Sequence, residues 1–125
     1  LPVGFVTLEN GLVGGSPDRL VGDDGGLEIK NLMAVGHTER LIADEPDPKH
    51  ASQVQGYLYL TGRKWWDLLY YNPELPKAVF RIEPDPKWQT AWAPIIESFT
   101  ERLAALRTTW ADHRIPRPWM EAANV

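Results

Sequence analysis

Gly14-Gly15-Ser16-Pro17-Asp18 and, about ten residues on, Leu27-Glu28-Ile29-Lys30 decide how this chain is read. Together they describe a bent hairpin, with a first arm over residues 12–21, a turn at Gly22-Asp23-Asp24-Gly25-Gly26 and a second arm over residues 27–32. Side chains alternate along a strand, so Glu28 and Lys30 share one face while Leu27 and Ile29 take the other. Pairing Val21 with Leu27 across the turn sets Asp18 opposite Lys30 and diagonal to Glu28. Two carboxylates and an ammonium then converge beside an apolar strand.

Paired carboxylates repel, and a hard divalent cation relieves that repulsion. Mg²⁺ prefers oxygen ligands and keeps several waters, so one or two carboxylates suffice, with the backbone carbonyl of Ile29 as a further oxygen. Such a cation polarises water and neutralises charge at a phosphodiester, while Lys30 orients or helps deprotonate the attacking water or offsets charge on the phosphoryl group. A plainer reading stands beside this one: a surface hairpin whose Glu–Lys pair is worth well under about 1 kcal/mol.

Outward from the hairpin, 125 residues is the length of one domain with a real core. The absence of cysteine excludes disulfides and thiolate metal sites and fits an intracellular protein. No apolar run is long enough for a membrane span, and no signal-peptide pattern is present. A net charge of −4 argues against a generally basic nucleic-acid coat but leaves room for a local basic channel beside acidic metal ligands. The chain begins at Leu1 with residues that already look like a strand, which suggests that an upstream part belongs before them. Glu9-Asn10-Gly11 is a tight-turn signal leading into the first arm.

Residues 34–49 show no clear period and carry Gly36, Pro46 and Pro48, which predicts a long loop with one helical turn near residues 38–43. His37 is expected to be solvated there. Pro48 or Lys49 opens a helix that ends at Gly62, with Ala51, Val54 and Leu58 as its buried stripe and Gln53 at the stripe's edge. Gln53 is read either as a partner for a water or phosphate oxygen at the site or as a surface amide. Residues 65–71 and 77–82 read as strands. From Asp85-Pro86 a helix carries Trp88, Trp92, Ile95, Ile96, Phe99, Leu103 and Leu106 at helical spacing, with Pro94 expected to kink or divide it. That stripe is expected to pack on the sheet or on an upstream segment, and residues 112–125, including Trp119, are expected to form an extended tail. The order of elements implies an α/β (α+β) domain with a mixed sheet. Phosphate-binding glycine loops, HExxH and nucleophile–histidine arrangements are absent.

The Gly-Gly-Ser-Pro-Asp and Gly26-Leu27-Glu28-Ile29-Lys30 stretches, then Ser52-Gln53-Val54-Gln55, Thr61-Gly62-Arg63-Lys64 and Tyr71-Asn72-Pro73, resemble the lambda-exonuclease-type phage recombination nucleases of the PD-(D/E)XK superfamily. The resemblance runs over residues 12–106. It implies a restriction-endonuclease-like mixed central sheet flanked by helices and a Mg²⁺-dependent (alternatively Mn²⁺-dependent) deoxyribonuclease that degrades linear double-stranded DNA 5′-to-3′ in recombination. By the same resemblance Asp18 and Glu28 are metal-binding acids, the Ile29 carbonyl is the backbone ligand, Lys30 is the catalytic lysine, Gln53 lies near the attacking water, and Ser16 helps hold the site. It further implies duplex DNA ends as substrate, a single-strand annealing protein as partner, a ring-shaped homotrimer, and the cytoplasm of a bacterial or phage-infected cell. The family also carries an N-terminal helical part, with an arginine for the 5′ phosphate and a further acid, which has no counterpart before Leu1. The readings competing with the exonuclease are a PD-(D/E)XK endonuclease of restriction or repair type and a non-catalytic interaction domain of the same fold.

Overall fold

A computed structural model describes residues 1–111. The core is built on one strand and one helix. Strand β5 (Trp65–Tyr71) sends Trp66, Leu68 and Tyr70 to one face, where all are fully buried, against Val54 and Leu58 of helix α2 (Pro48–Thr61). Alternation along the strand and a three-to-four-residue stripe on the helix meet as their periods require. Burying each large apolar side chain contributes on the order of 1.5–3 kcal/mol.

The sheet runs β3 (Arg19–Val21), β4 (Gly25–Asn31), β5, β6 (Ala78–Ile82). The β3–β4 and β5–β6 pairs are antiparallel, while β4 and β5 are parallel, with α2 in the crossover between them. A separate two-stranded ladder joins β1 (Val6–Thr7) to β2 (Gly14–Gly15). The expected first arm over residues 12–21 is therefore two strands in two sheets, because Pro17 interrupts the backbone donors between them.

The hairpin register also differs from the expected one. Val21 pairs with Gly25 and Arg19 with Leu27, because the turn closes on Gly22-Asp23-Asp24 with Gly22 at φ 54°. One further step sets Asp18 opposite Glu28 rather than Lys30. The shift is by two residues, so no side chain changes face. Gly25 and Gly26 are strand residues, and the reason lies in β5: a Cβ on Gly26 would sit 2.3 Å from the Trp66 ring, and one on Gly25 2.1 Å from that of Trp65.

Residues 34–43, expected to lie mostly in a loop, form helix α1 (Ala34–Ala43), closed by Asp44 in the left-handed region at φ 51°. Its inward face is Gly36, His37, Arg40 and Leu41, whereas Met33, Val35 and Ile42 are exposed. A helix anchored through a histidine leaves no apolar period to find. His37 is not solvated but 0% exposed, and its Nε2–H donates to the Pro76 carbonyl at 2.7 Å.

Helix α3 (Pro86–Trp110) starts at an Asp85 cap, whose carboxylate accepts from Lys87 N at 2.9 Å, and runs through Pro94 without dividing. Its aromatic stripe does not pack on the sheet. It faces α2 across an open apolar groove of about 530 Å³ lined by Tyr57, Leu60, Trp88, Trp92, Ile96 and Phe99 among others. Gln55, buried on α2, ties α3 to the rest: its Nε2 donates to Glu83 O at 2.7 Å, and its Oε1 accepts from Asp85 N at 3.0 Å. The tail expected over residues 112–125, with Trp119, lies outside the described residues.

Candidate active site

The face of β4 that carries Glu28 and Lys30 is the face on which β5 buries Trp66, Leu68 and Tyr70, since the parallel register pairs Gly26 with Trp66, Glu28 with Leu68 and Lys30 with Tyr70. The charged pair therefore points inward, under α2, while Ile29 is turned outward and 37% exposed. This inverts ordinary patterning at the position where chemistry is expected.

Glu28 is 5% exposed. Its Oε1 accepts from Lys30 Nζ at 2.8 Å and from Gln53 Nε2 at 3.2 Å, whereas its Oε2 is buried with no hydrogen-bond partner among the described residues. Asp18, exposed at the mouth of the site, uses Oδ2 to accept the backbone N–H of Ile29 at 2.7 Å. Stepping the β3–β4 ladder on from Arg19–Leu27 brings Asp18 and Glu28 into a directly opposed pair of the close, non-hydrogen-bonded kind. Lys30 Nζ is held from two sides, by Glu28 Oε1 and by Gln53 Oε1, both at 2.8 Å.

Gln53 is thus drawn into the site by both ends of its amide. Its remaining N–H reaches the Tyr57 hydroxyl at 2.7 Å, and Tyr57 in turn donates to the Ser16 carbonyl at 3.3 Å. Burial pushes the Tyr57 phenol above its usual range, the carboxylates of Glu28 and Asp18 push the same way, and the Gln53 hydrogen bond opposes them. The phenol stays protonated and remains a donor to Ser16. Ser16 meets this network through its backbone carbonyl. The sequence does not pick out Tyr57 as a site residue because it reads as an apolar residue flanking the α2 stripe; its position four residues after Gln53, one helical turn on, is the available signal.

His50, one turn before Gln53, completes the wall. Its Nδ1 lies 2.9 Å from the Tyr70 hydroxyl, which accepts from Asp47 N at 3.0 Å. Burial lowers the His50 pKa, Lys30 and Lys49 lower it further, and Asp47 and Glu28 work against them.

The donor set suits a hard cation. No group of three or more His, Cys, Asp or Glu residues gathers among the described residues. Two carboxylates, one with a buried unpartnered oxygen, fit Mg²⁺ or Mn²⁺, for which a small protein ligand set with waters is ordinary.

The chain is similar to the crystal structure of an alkaline exonuclease (LHK-Exo) from Laribacter hongkongensis, with a TM-score of 0.67, 28% identity, and coverage of 91% of this chain and 63% of that one. It has a nuclease-like fold. The same enzyme in complex with dAMP gives a TM-score of 0.65 at 28% identity, covering 90% and 62% of the two chains. This chain thus spans a little under two thirds of the exonuclease's length. No family model matches it, and no curated protein does. No helix among the described residues is long and apolar enough to cross a membrane.

Proposed function

We propose that this chain is the catalytic portion of a metal-dependent DNA exonuclease that acts on linear duplex DNA. The observation that carries this reading is the unpartnered, buried Oε2 of Glu28, set beside Asp18 and the Lys30–Gln53 pair in a chain similar to an alkaline exonuclease. Asp18, Glu28 and the Ile29 carbonyl would hold Mg²⁺ or Mn²⁺. When bound, such a cation supplies Lewis-acid stabilisation of the phosphoryl oxygens and acidification of water.

The chain's own groups have separable tasks. Lys30 is oriented by two acceptors, so its remaining N–H bonding capacity is directed to the reacting phosphate, where an ammonium offsets the growing negative charge. Gln53 fixes Lys30 and Glu28 relative to each other, and Tyr57 fixes Gln53. Attack from the 5′ end and a part in phage-type recombination belong to the same proposal, on the strength of the motif resemblance.

The test is digestion of linear 5′-phosphorylated duplex and closed circular plasmid by the 125-residue chain, with and without Mg²⁺. Loss of linear DNA alone, abolished by EDTA, is the expected result. Cleavage of the circle would replace the exonuclease with an endonuclease, and no cleavage of either substrate in Mg²⁺ or in Mn²⁺ would replace it with a non-catalytic interaction domain of the same fold.

A further inference from the structure

We infer that Pro17 is a positioning residue: by lacking a backbone N–H opposite Ile29, it keeps the Ile29 carbonyl oxygen out of the sheet ladder and available to the divalent cation. This rests on the metal-site reading above. The proline is fully buried between the Ser16 carbonyl, tied to Tyr57, and the Asp18 carboxylate, tied to Ile29 N–H.

The ladder itself supplies the reason. In an antiparallel pair, every second residue turns both its N–H and its C=O toward the partner strand and exchanges two hydrogen bonds with the residue opposite. Ile29 N–H points toward the β3 side, where Asp18 accepts it, so the Ile29 C=O leaves by that same edge. Carried two residues beyond the Arg19–Leu27 pair, the same register would set residue 17 opposite Ile29. A residue with a backbone N–H there would offer the Ile29 oxygen a donor and close one more rung, because strand N–H and C=O groups pair across a ladder. Proline has none to give. The other half of that rung is replaced as well: the Ile29 N–H goes to Asp18 Oδ2 instead of the Pro17 carbonyl. The ladder therefore stops at Arg19–Leu27, and one rung's worth of polar groups is given over to ligands: a side-chain carboxylate oriented by the N–H, and a carbonyl oxygen left unclaimed from residue 17. Pro17 is not itself a ligand and acts through Ile29.

The sequence itself provides the experiment. Ile29-Lys30 is the only Ile-Lys peptide bond in the chain, so protein labelled with carbonyl-¹³C isoleucine and ¹⁵N lysine yields a single carbonyl resonance, that of Ile29. Mg²⁺ titration of the 125-residue chain should shift this resonance, and in a second sample labelled with δ-¹³C glutamate, assigned with Glu28→Gln, the Glu28 carboxylate should shift with it. In Pro17→Ala, the resonance should already be displaced without metal, the new residue-17 amide should be protected from hydrogen exchange, and Mg²⁺ affinity should fall about tenfold, the scale of one competing hydrogen bond. Pro17→Val carries the same N–H while filling the buried space, and serves if the alanine variant does not fold. N-methylalanine at position 17, installed by peptide ligation, has alanine's side chain but no N–H and should restore the native shift and affinity. Unchanged affinity and an unprotected residue-17 amide in the alanine and valine variants would overturn the inference. So would a Glu28 response to Mg²⁺ with the Ile29 carbonyl unmoved, an outcome that leaves the metal site standing. No response to Mg²⁺ anywhere in the native chain would remove the metal site and, with it, the role of Pro17.

Discussion

Glu28 bears the most revealing atom in the molecule, a buried carboxylate oxygen with no partner among the described residues. Leaving such an oxygen unsatisfied costs on the order of 1–3 kcal/mol or more. A bound cation reverses that cost, so Mg²⁺ at about a hundred times its Kd should stabilise the fold by roughly 2.7 kcal/mol; a thermal melt with and without Mg²⁺ measures it, and an unmoved Tm would count against the site. Lys30→Ala should keep metal binding and the fold but lower turnover by at least roughly 10²-fold, read by single-turnover digestion of linear duplex. Asp18→Ala should instead weaken Mn²⁺ binding in calorimetry, since it removes a ligand and not the ammonium. His50 gives a pH signature. Its pKa is lowered in the folded chain by burial, so as pH falls through the unfolded value near 6.5 the unfolded state takes up the proton first and stability is lost. Melting at pH 7 and pH 5 should show this loss, and His50→Gln should shrink it.

Strands β4 and β5 fit each other because glycine meets tryptophan twice, Gly25 against Trp65 and Gly26 against Trp66. Gly26→Ala would drive a methyl group into the buried Trp66 ring and should cost about 1–3 kcal/mol in denaturant unfolding, the usual range for overpacking. These glycines were read as turn residues because glycine next to Asp23-Asp24 carries turn chemistry; the ring that requires them lies forty residues away in sequence. Helix α2 was legible to its ends, since Pro48 and Gly62 are strong local signals and the apolar stripe is regular, while its Asp47 cap came only with the structure. Helix α1 was not, because its buried anchor is His37, a residue type that hydrophobic patterning does not count. The end of α3 nearest the sheet depends on Gln55, and Gln55→Leu should release it: a loss of helical content at residues 86–92, seen as faster amide exchange there, is expected while β4 and β5 stay protected.

At the scale of the whole molecule, a four-stranded mixed sheet with α2 across the β4–β5 connection brings three separated stretches to one point: Asp18 from the end of β3, Glu28 and Lys30 from β4, and Gln53 from α2. The chemistry proposed for that point is hydrolysis at a DNA end, and its clearest whole-molecule signature is the contrast between linear and circular substrate. The sequence by itself determined the candidate acids, the lysine and the glutamine, the α/β class, the ends of α2 and the cap of α3, and the strands β5 and β6, because each rests on local chemistry: residue type, alternation, and the first and last turns of a helix. Tertiary structure alone decided the hairpin register, the helical state of residues 34–43, the inward aim of Glu28 and Lys30, the recruitment of Tyr57, and the separation of the α3 stripe from the sheet. Each of these is set by a partner distant in sequence, and the free energy of meeting that partner is not written in the residues on either side.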